Sequence, residues 1–152
     1  MLKKTAMVVA AATAIISLGA HAQQASPVGL WKNIDDKTGK PKALIRITES
    51  NGEYKGKIEK LFREPGEDPN PKCDQCQDSR KDQPIIGMTI LTGLKQDGEE
   101  FTGGQILDPA NGKVYKSKMA VVDGGKKLDV RGYIGMPAFG RTQTWVRADR
   151  AD

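Results

Sequence analysis

Histidine is almost missing. The 152-residue chain has one, His21, and it falls inside an N-terminal stretch that reads as an export leader. Lys3 and Lys4 form the positive start. Residues 6–20 are apolar except for Thr13, Ser17 and Gly19, and Ala20-His21-Ala22 is a small-x-small cleavage site. Cleavage after Ala22 is the expectation, leaving 130 of the 152 residues as a periplasmic or secreted protein. A chain trimmed in this way has no histidine. That excludes Ser-His-Asp and Cys-His catalysis, histidine metal sites and histidine haem ligation.

Other absences narrow the choice further. The leader's apolar run is shorter than the ~20 residues that cross a bilayer, so no stable membrane insertion is expected after cleavage. No cysteine follows the cleavage site, which argues against a lipid anchor. Lys3 and Lys4 leave with the leader, so the formal net charge of +5 falls to +3. A surface that mild is not the footprint of a nucleic-acid binder. No helix of ordinary length is visible. Paired carboxylates and a nucleophile elbow are missing too, so no catalytic role and no cofactor are expected.

What remains reads as short strands. Eight candidates cover residues 29–33, 41–49, 53–62, 85–94, 99–107, 113–122, 126–134 and 139–147. Ala43, Ile45 and Ile47 alternate with Leu44, Arg46 and Thr48. Leu128, Val130 and Ile134 do so with Asp129, Arg131 and Tyr133. Period two is the strand signature. Asn51-Gly52, Asp97-Gly98 and Asn111-Gly112 supply the positive φ angles of tight hairpins. The expectation for residues 23–152 is one all-β domain, an antiparallel eight-stranded up-and-down barrel. A two-sheet β-sandwich is the alternative.

One segment breaks the rhythm. Residues 63–84 contain four prolines, many charges and both cysteines, Cys73 and Cys76. Loops of that length are usually functional or disordered. In an oxidising compartment the simplest reading of the C-x-x-C is a structural disulfide. A redox role lacks the strand-to-helix setting that lowers a thiol pKa. A zinc site lacks a second ligand pair.

Two further groups are candidates. Trp31 on the first strand and Arg147 at the end of the last become neighbours if the barrel closes. They then either stack as a cation–π pair or stand apart as a core tryptophan and a surface arginine. Arg141 and Gln143 share one face of the last strand, and Arg131 and Tyr133 share one face of the strand before it. Pointing inward, these four are candidate ligand-binding residues that orient an anionic ligand. Pointing outward, they form a solvated face.

The order GLWKNIDDKTGKPKALIRITESNGEYKGKI, CDQC with KDQPIIGMTIL, GGQILDPANGKVYKSKM, LDVRGYIG and FGRTQTWVR resembles a secreted bacterial family. That family is domain of unknown function 2147, and the likeness covers about residues 28–147. It is similar in architecture to the calycins, the small barrels that include lipocalins and fatty-acid-binding proteins. The resemblance implies a calycin-like barrel, with Gly29-Leu30-Trp31 and Arg147 resembling a lipocalin's barrel closure. It also implies a small lipid-like or acidic ligand. Only five residues follow Arg147, too few for a lipocalin's C-terminal helix. The function expected is therefore binding a small apolar or amphipathic anionic ligand. An envelope interaction protein with the cysteine loop as its contact surface is the alternative.

Overall fold

The alternating segments form eight strands in a computed structural model that describes residues 25–148. The leader assigned to residues 1–22 lies outside the described residues. The strands are β1 (Gly29–Ile34), β2 (Pro41–Ser50), β3 (Glu53–Leu61), β4 (Thr89–Asp97), β5 (Glu100–Asp108), β6 (Lys113–Val122), β7 (Lys127–Tyr133) and β8 (Gly140–Ala148). Each pairs antiparallel with the next, and β1 pairs with β8. The barrel is closed, so it has no open edge, and the sandwich alternative is excluded. One short 3₁₀ turn, Asp123–Gly125, joins β6 to β7.

The fourth strand starts later than its sequence suggests, at Thr89 and not at residue 85. Ile85 and Ile86 look like the start of an apolar strand. Instead the chain turns there, with the Met88 N–H donating to the Ile85 carbonyl and Gly87 at a φ of 90°. The long connection therefore runs over residues 62–88.

Strand pairing carries the inner face around the barrel. Trp31 lies opposite Ile45, Ile45 opposite Ile58, Ile47 opposite Gly56 and Gly56 opposite Leu91. Leu91 faces Ile106, Ile106 faces Tyr115, Met119 faces Val130, and Leu128 faces Trp145. Most of these are fully buried, including both tryptophans at 0% exposure. Burying side chains of this size contributes ~1.5–3 kcal/mol each, which is the main drive for closure.

Up-and-down topology sorts the connections between two ends. The turns at residues 51–52, 98–99 and 123–126 share one end with the entry to β1 and the exit from β8. The connections 35–40, 62–88, 109–112 and 134–139 share the other. We refer to these as the closing end and the loop-bearing end.

Candidate functional site

At the closing end the arginine of the last strand seals the barrel. The Arg147 guanidinium carbon lies 4.1 Å from the centre of the Trp31 ring. Its Nε donates to the Gly125 carbonyl at 2.7 Å, Nη1 to Val28 at 3.1 Å and Nη2 to Ser26 at 2.7 Å. One side chain thus ties β8 to the β6–β7 turn and to the segment entering β1. Trp31 Nε1 donates to the Pro27 carbonyl, so the ring buries no free polar group. Gly29 sits at a φ of 136°, and a Cβ there would come within 2.9 Å of Arg147 Nη1. The glycine of the G-x-W pattern is therefore a requirement of this arginine's position.

The four polar residues on β7 and β8 do not come together. In the β7–β8 pairing, Val130 lies opposite Gln143 and Gly132 opposite Arg141, while Arg131 lies opposite Thr142 and Tyr133 opposite Gly140. Leu128 and Val130 are buried in the core, so Arg131 and Tyr133, which alternate with them, lie on the outer face. Arg131 Nε donates to the Pro137 carbonyl at 2.6 Å and its Nη1 to Thr142 Oγ1 at 2.8 Å. It braces the β7–β8 loop. Gln143 shares the inner face with Trp145, and its Oε1 accepts from Trp145 Nε1 and Asn33 Nδ2. Arg141 stands at the rim and donates to the Asp36 carboxylate. That hydrogen bond holds the Asp36 carboxyl below its ordinary range and raises Arg141. The apolar alternation of Leu128 and Val130 was the signal that separates the two pairs.

The barrel interior is packed. Trp31, Trp145, Leu94, Leu91 and Leu128 are 0% exposed, and Tyr54 meets Phe101 edge-on at 4.7 Å between ring centres. A Cβ on Gly104 would fall 2.5 Å from Leu94. Two buried polar atoms, Asn33 Oδ1 and Ser117 Oγ, have no partner among the described residues.

The long loop is ordered and lies outside the barrel. Cys73 and Cys76 form a disulfide. The Cys73 N–H donates to Gln83 and the Asp82 N–H to Cys73, which closes the loop on itself. Both cysteines are buried in one cluster with Met88, Ile90 and Leu107. Ile90 and Leu107 alternate with the inward Leu91 and Ile106, so the loop covers the outer wall of β4 and β5. Arg80 anchors it, with Nη1 donating to the Thr89 carbonyl at 3.1 Å and Nε to Asp78 at 3.0 Å. The same arginine holds the Asp78 carboxyl down at about 2. A Cβ on Gly112 would collide with the Gln75 carbonyl at 1.8 Å, so only glycine lets the β5–β6 turn dock here.

This docking leaves a shallow concavity of about 430 Å³, open to solvent. Its lining is Gln77 and Asp78 from the loop, Gly112, Lys113, Val114 and Tyr115 from the β5–β6 turn and β6, and Ile134 beyond β7. Asn111 braces the wall by donating to the Tyr115 hydroxyl. A second shallow concavity, about 360 Å³, is lined by residues from Arg80 to Thr89. None of the four polar candidates lines either one. Sequence reasoning missed Lys113, Val114 and Ile134, because three separate connections bring them together. Among the described residues no three acidic, cysteine or histidine side chains converge as a metal site.

Residues 29–147 match a family described as an uncharacterized protein conserved in bacteria, DUF2147. The chain belongs to this family. Among solved structures, this chain is similar to HP1028 from the human pathogen Helicobacter pylori, described as belonging to the lipocalin family. That likeness has a TM-score of 0.69 at 18% identity and covers 82% of this chain and 84% of the other. At such identity the likeness is one of fold: a lipocalin-like, calycin-type barrel. No curated protein matches the chain.

Proposed function

We propose that this DUF2147 protein is an exported, non-catalytic barrel that binds a small amphipathic acid at its loop-bearing rim. The observation that carries this is the 430 Å³ concavity, which joins Lys113 to the apolar Val114, Tyr115 and Ile134. Its openness suits a ligand that lies along the rim and stays partly in water. The lysine suits the acidic end of a ligand, and the three neighbours suit its apolar body. The packed interior argues for the rim over the barrel's centre. The leader at residues 1–22 supports export to the periplasm or beyond.

Titration with decanoate, followed by backbone amide NMR, tests the site. Shifts are expected at residues 112–115 and 134, with weaker binding in Lys113→Glu. Shifts confined to other regions, or none at all, would overturn the rim assignment. A mass of the processed protein beginning at Gln23 is expected, and an intact Met1 on exported protein would refute cleavage.

A second reading is an envelope interaction protein that uses the cysteine loop as its contact surface. The ordered, disulfide-closed loop on the outer wall favours it. Cross-linking in the envelope, with residues 66–82 replaced by a short glycine-serine linker, is expected to lose a partner. Unchanged partners would count against it.

A further inference from the structure

Seven large apolar side chains are exposed among the described residues, and five of them sit at the loop-bearing end. Three of those belong to one connection, between β7 and β8: Ile134 is 68% exposed, Met136 63% and Phe139 71%. Connections are ordinarily polar, and a cluster of this kind marks a contact with something outside the molecule.

The connection is held in shape. The Ile134 N–H donates to Phe139, Met136 to Ile134 and Phe139 to Met136, at 2.9–3.1 Å. Arg131 holds the Pro137 carbonyl at 2.6 Å, and Lys116 Nζ reaches the Gly135 carbonyl at 3.4 Å. The apolar tip is therefore presented before any partner arrives, with little ordering entropy left to lose.

Charge around the tip selects the partner. Arg131 spends its hydrogen bonds on neutral oxygens, and Lys116 reaches a backbone carbonyl. At this end Asp36 is matched by Arg141 and Asp78 by Arg80, while Asp108 stands directly opposite Lys113 across β5 and β6. Lys116 and Arg131 thus flank the tip, with no carboxylate paired to either among the described residues. Two copies meeting tip to tip would bring those cations face to face, which disfavours self-association. An apolar tip flanked by lysine and arginine fits the interface of an anionic bilayer, where acyl chains take the apolar groups and headgroups take the charge.

We infer that the β7–β8 connection is a peripheral membrane-docking tip, inserting Met136 and Phe139 into an anionic lipid surface with Lys116 and Arg131 on the headgroups. This goes beyond the rim ligand reading and does not depend on it. Ile134 lines the rim concavity as well, so it is left intact in the test.

Flotation with vesicles tests the inference. The protein is taken as processed by the cells that make it, with its N-terminus read by mass so that a retained leader is not mistaken for the tip. It is expected to float with vesicles of phosphatidylglycerol and phosphatidylcholine in equal parts, and to stay behind with phosphatidylcholine alone. Met136→Ser with Phe139→Ser is expected to lower bound protein about tenfold, at unchanged near-ultraviolet circular dichroism. Val146→Ser, an exposed apolar site elsewhere, is expected to float normally. Lys116→Gln repeats the test through charge alone, with the rim's Lys113 left in place, and is expected to weaken binding most at low salt. No flotation of the native protein would overturn the inference, as would equal flotation of the tip variant. A dimer abolished by the tip substitutions would reassign the surface to a second copy.

Discussion

The closing end and the loop-bearing end of the barrel are built from opposite materials. At the closing end one guanidinium lies on one indole and reaches three backbone carbonyls, and of the seven exposed apolar side chains among the described residues only Val28 and Val146 lie towards it. At the loop-bearing end four connections meet, a disulfide stiffens the longest, and five apolar side chains face solvent. The first end maintains the fold. The second leaves apolar surface uncovered that a purely structural end would have buried. The packing that holds the fold and the apolar surface left uncovered are thus separated along the barrel axis, and loops on a rigid scaffold are where function is ordinarily carried.

The contrast is open to breakage at its strongest point. Trp31→Ala is expected to lower unfolding free energy by about 3–5 kcal/mol, because it empties a fully buried site and removes the face on which Arg147 lies. Urea denaturation followed by Trp145 fluorescence measures it. Arg147→Ala is expected to lose about 2 kcal/mol, since three carbonyl partners return to water and only part of the site is buried. Arg147→Lys should recover less than half, because an ammonium cannot present the same fork. Equal stability of Lys and Arg at this position would remove the special role given to the closing end.

The loop-bearing end should respond more gently. Cys73→Ser with Cys76→Ser is expected to lose about 1–2 kcal/mol, since the ring closed by the disulfide is short. Hydrogen exchange should rise over residues 63–88 while β7 and β8 stay protected. Spread of the change to β8 would show that the two ends are not separate.

Acid gives the smallest effect and the most local. Asp78 is held at about 2 against an ordinary 3.8, first of all by its side-chain hydrogen bond with Arg80. A lowered carboxylate pKa means that the contribution is full above pH ~4 and is lost as pH falls towards 2. NMR titration of the Asp78 carboxyl should show a midpoint near 2, rising towards the ordinary value in Arg80→Gln, which keeps the backbone N–H of residue 80 on the carboxylate. A midpoint already ordinary in the native protein would refute the clamp.

Much of the fold was legible because its causes are local. Alternation marked the strands, and Asn51-Gly52, Asp97-Gly98 and Asn111-Gly112 marked the hairpins. Where local reading failed, a non-local partner had taken over. Ile85 and Ile86 look like strand residues, yet the Ile85 N–H donates to the Pro71 carbonyl and the pair belongs to the loop. The candidate site was less legible. Arg131, Tyr133, Arg141 and Gln143 are close in sequence, but strand pairing puts the first two outside. The rim concavity unites residues from the cysteine loop, from the start of β6 and from beyond β7, which no window along the chain contains.

The sequence alone determined the number of strands, the turns between them, the period-two alternation along the strands, and the position of the one histidine. These depend on φ, on period two and on residue identity. Only the tertiary structure decided that β1 meets β8, that Arg147 lies on Trp31, that the interior is full, and that an apolar tip stands exposed. Those outcomes depend on register between strands, and register is set by the packing of side chains from all eight at once.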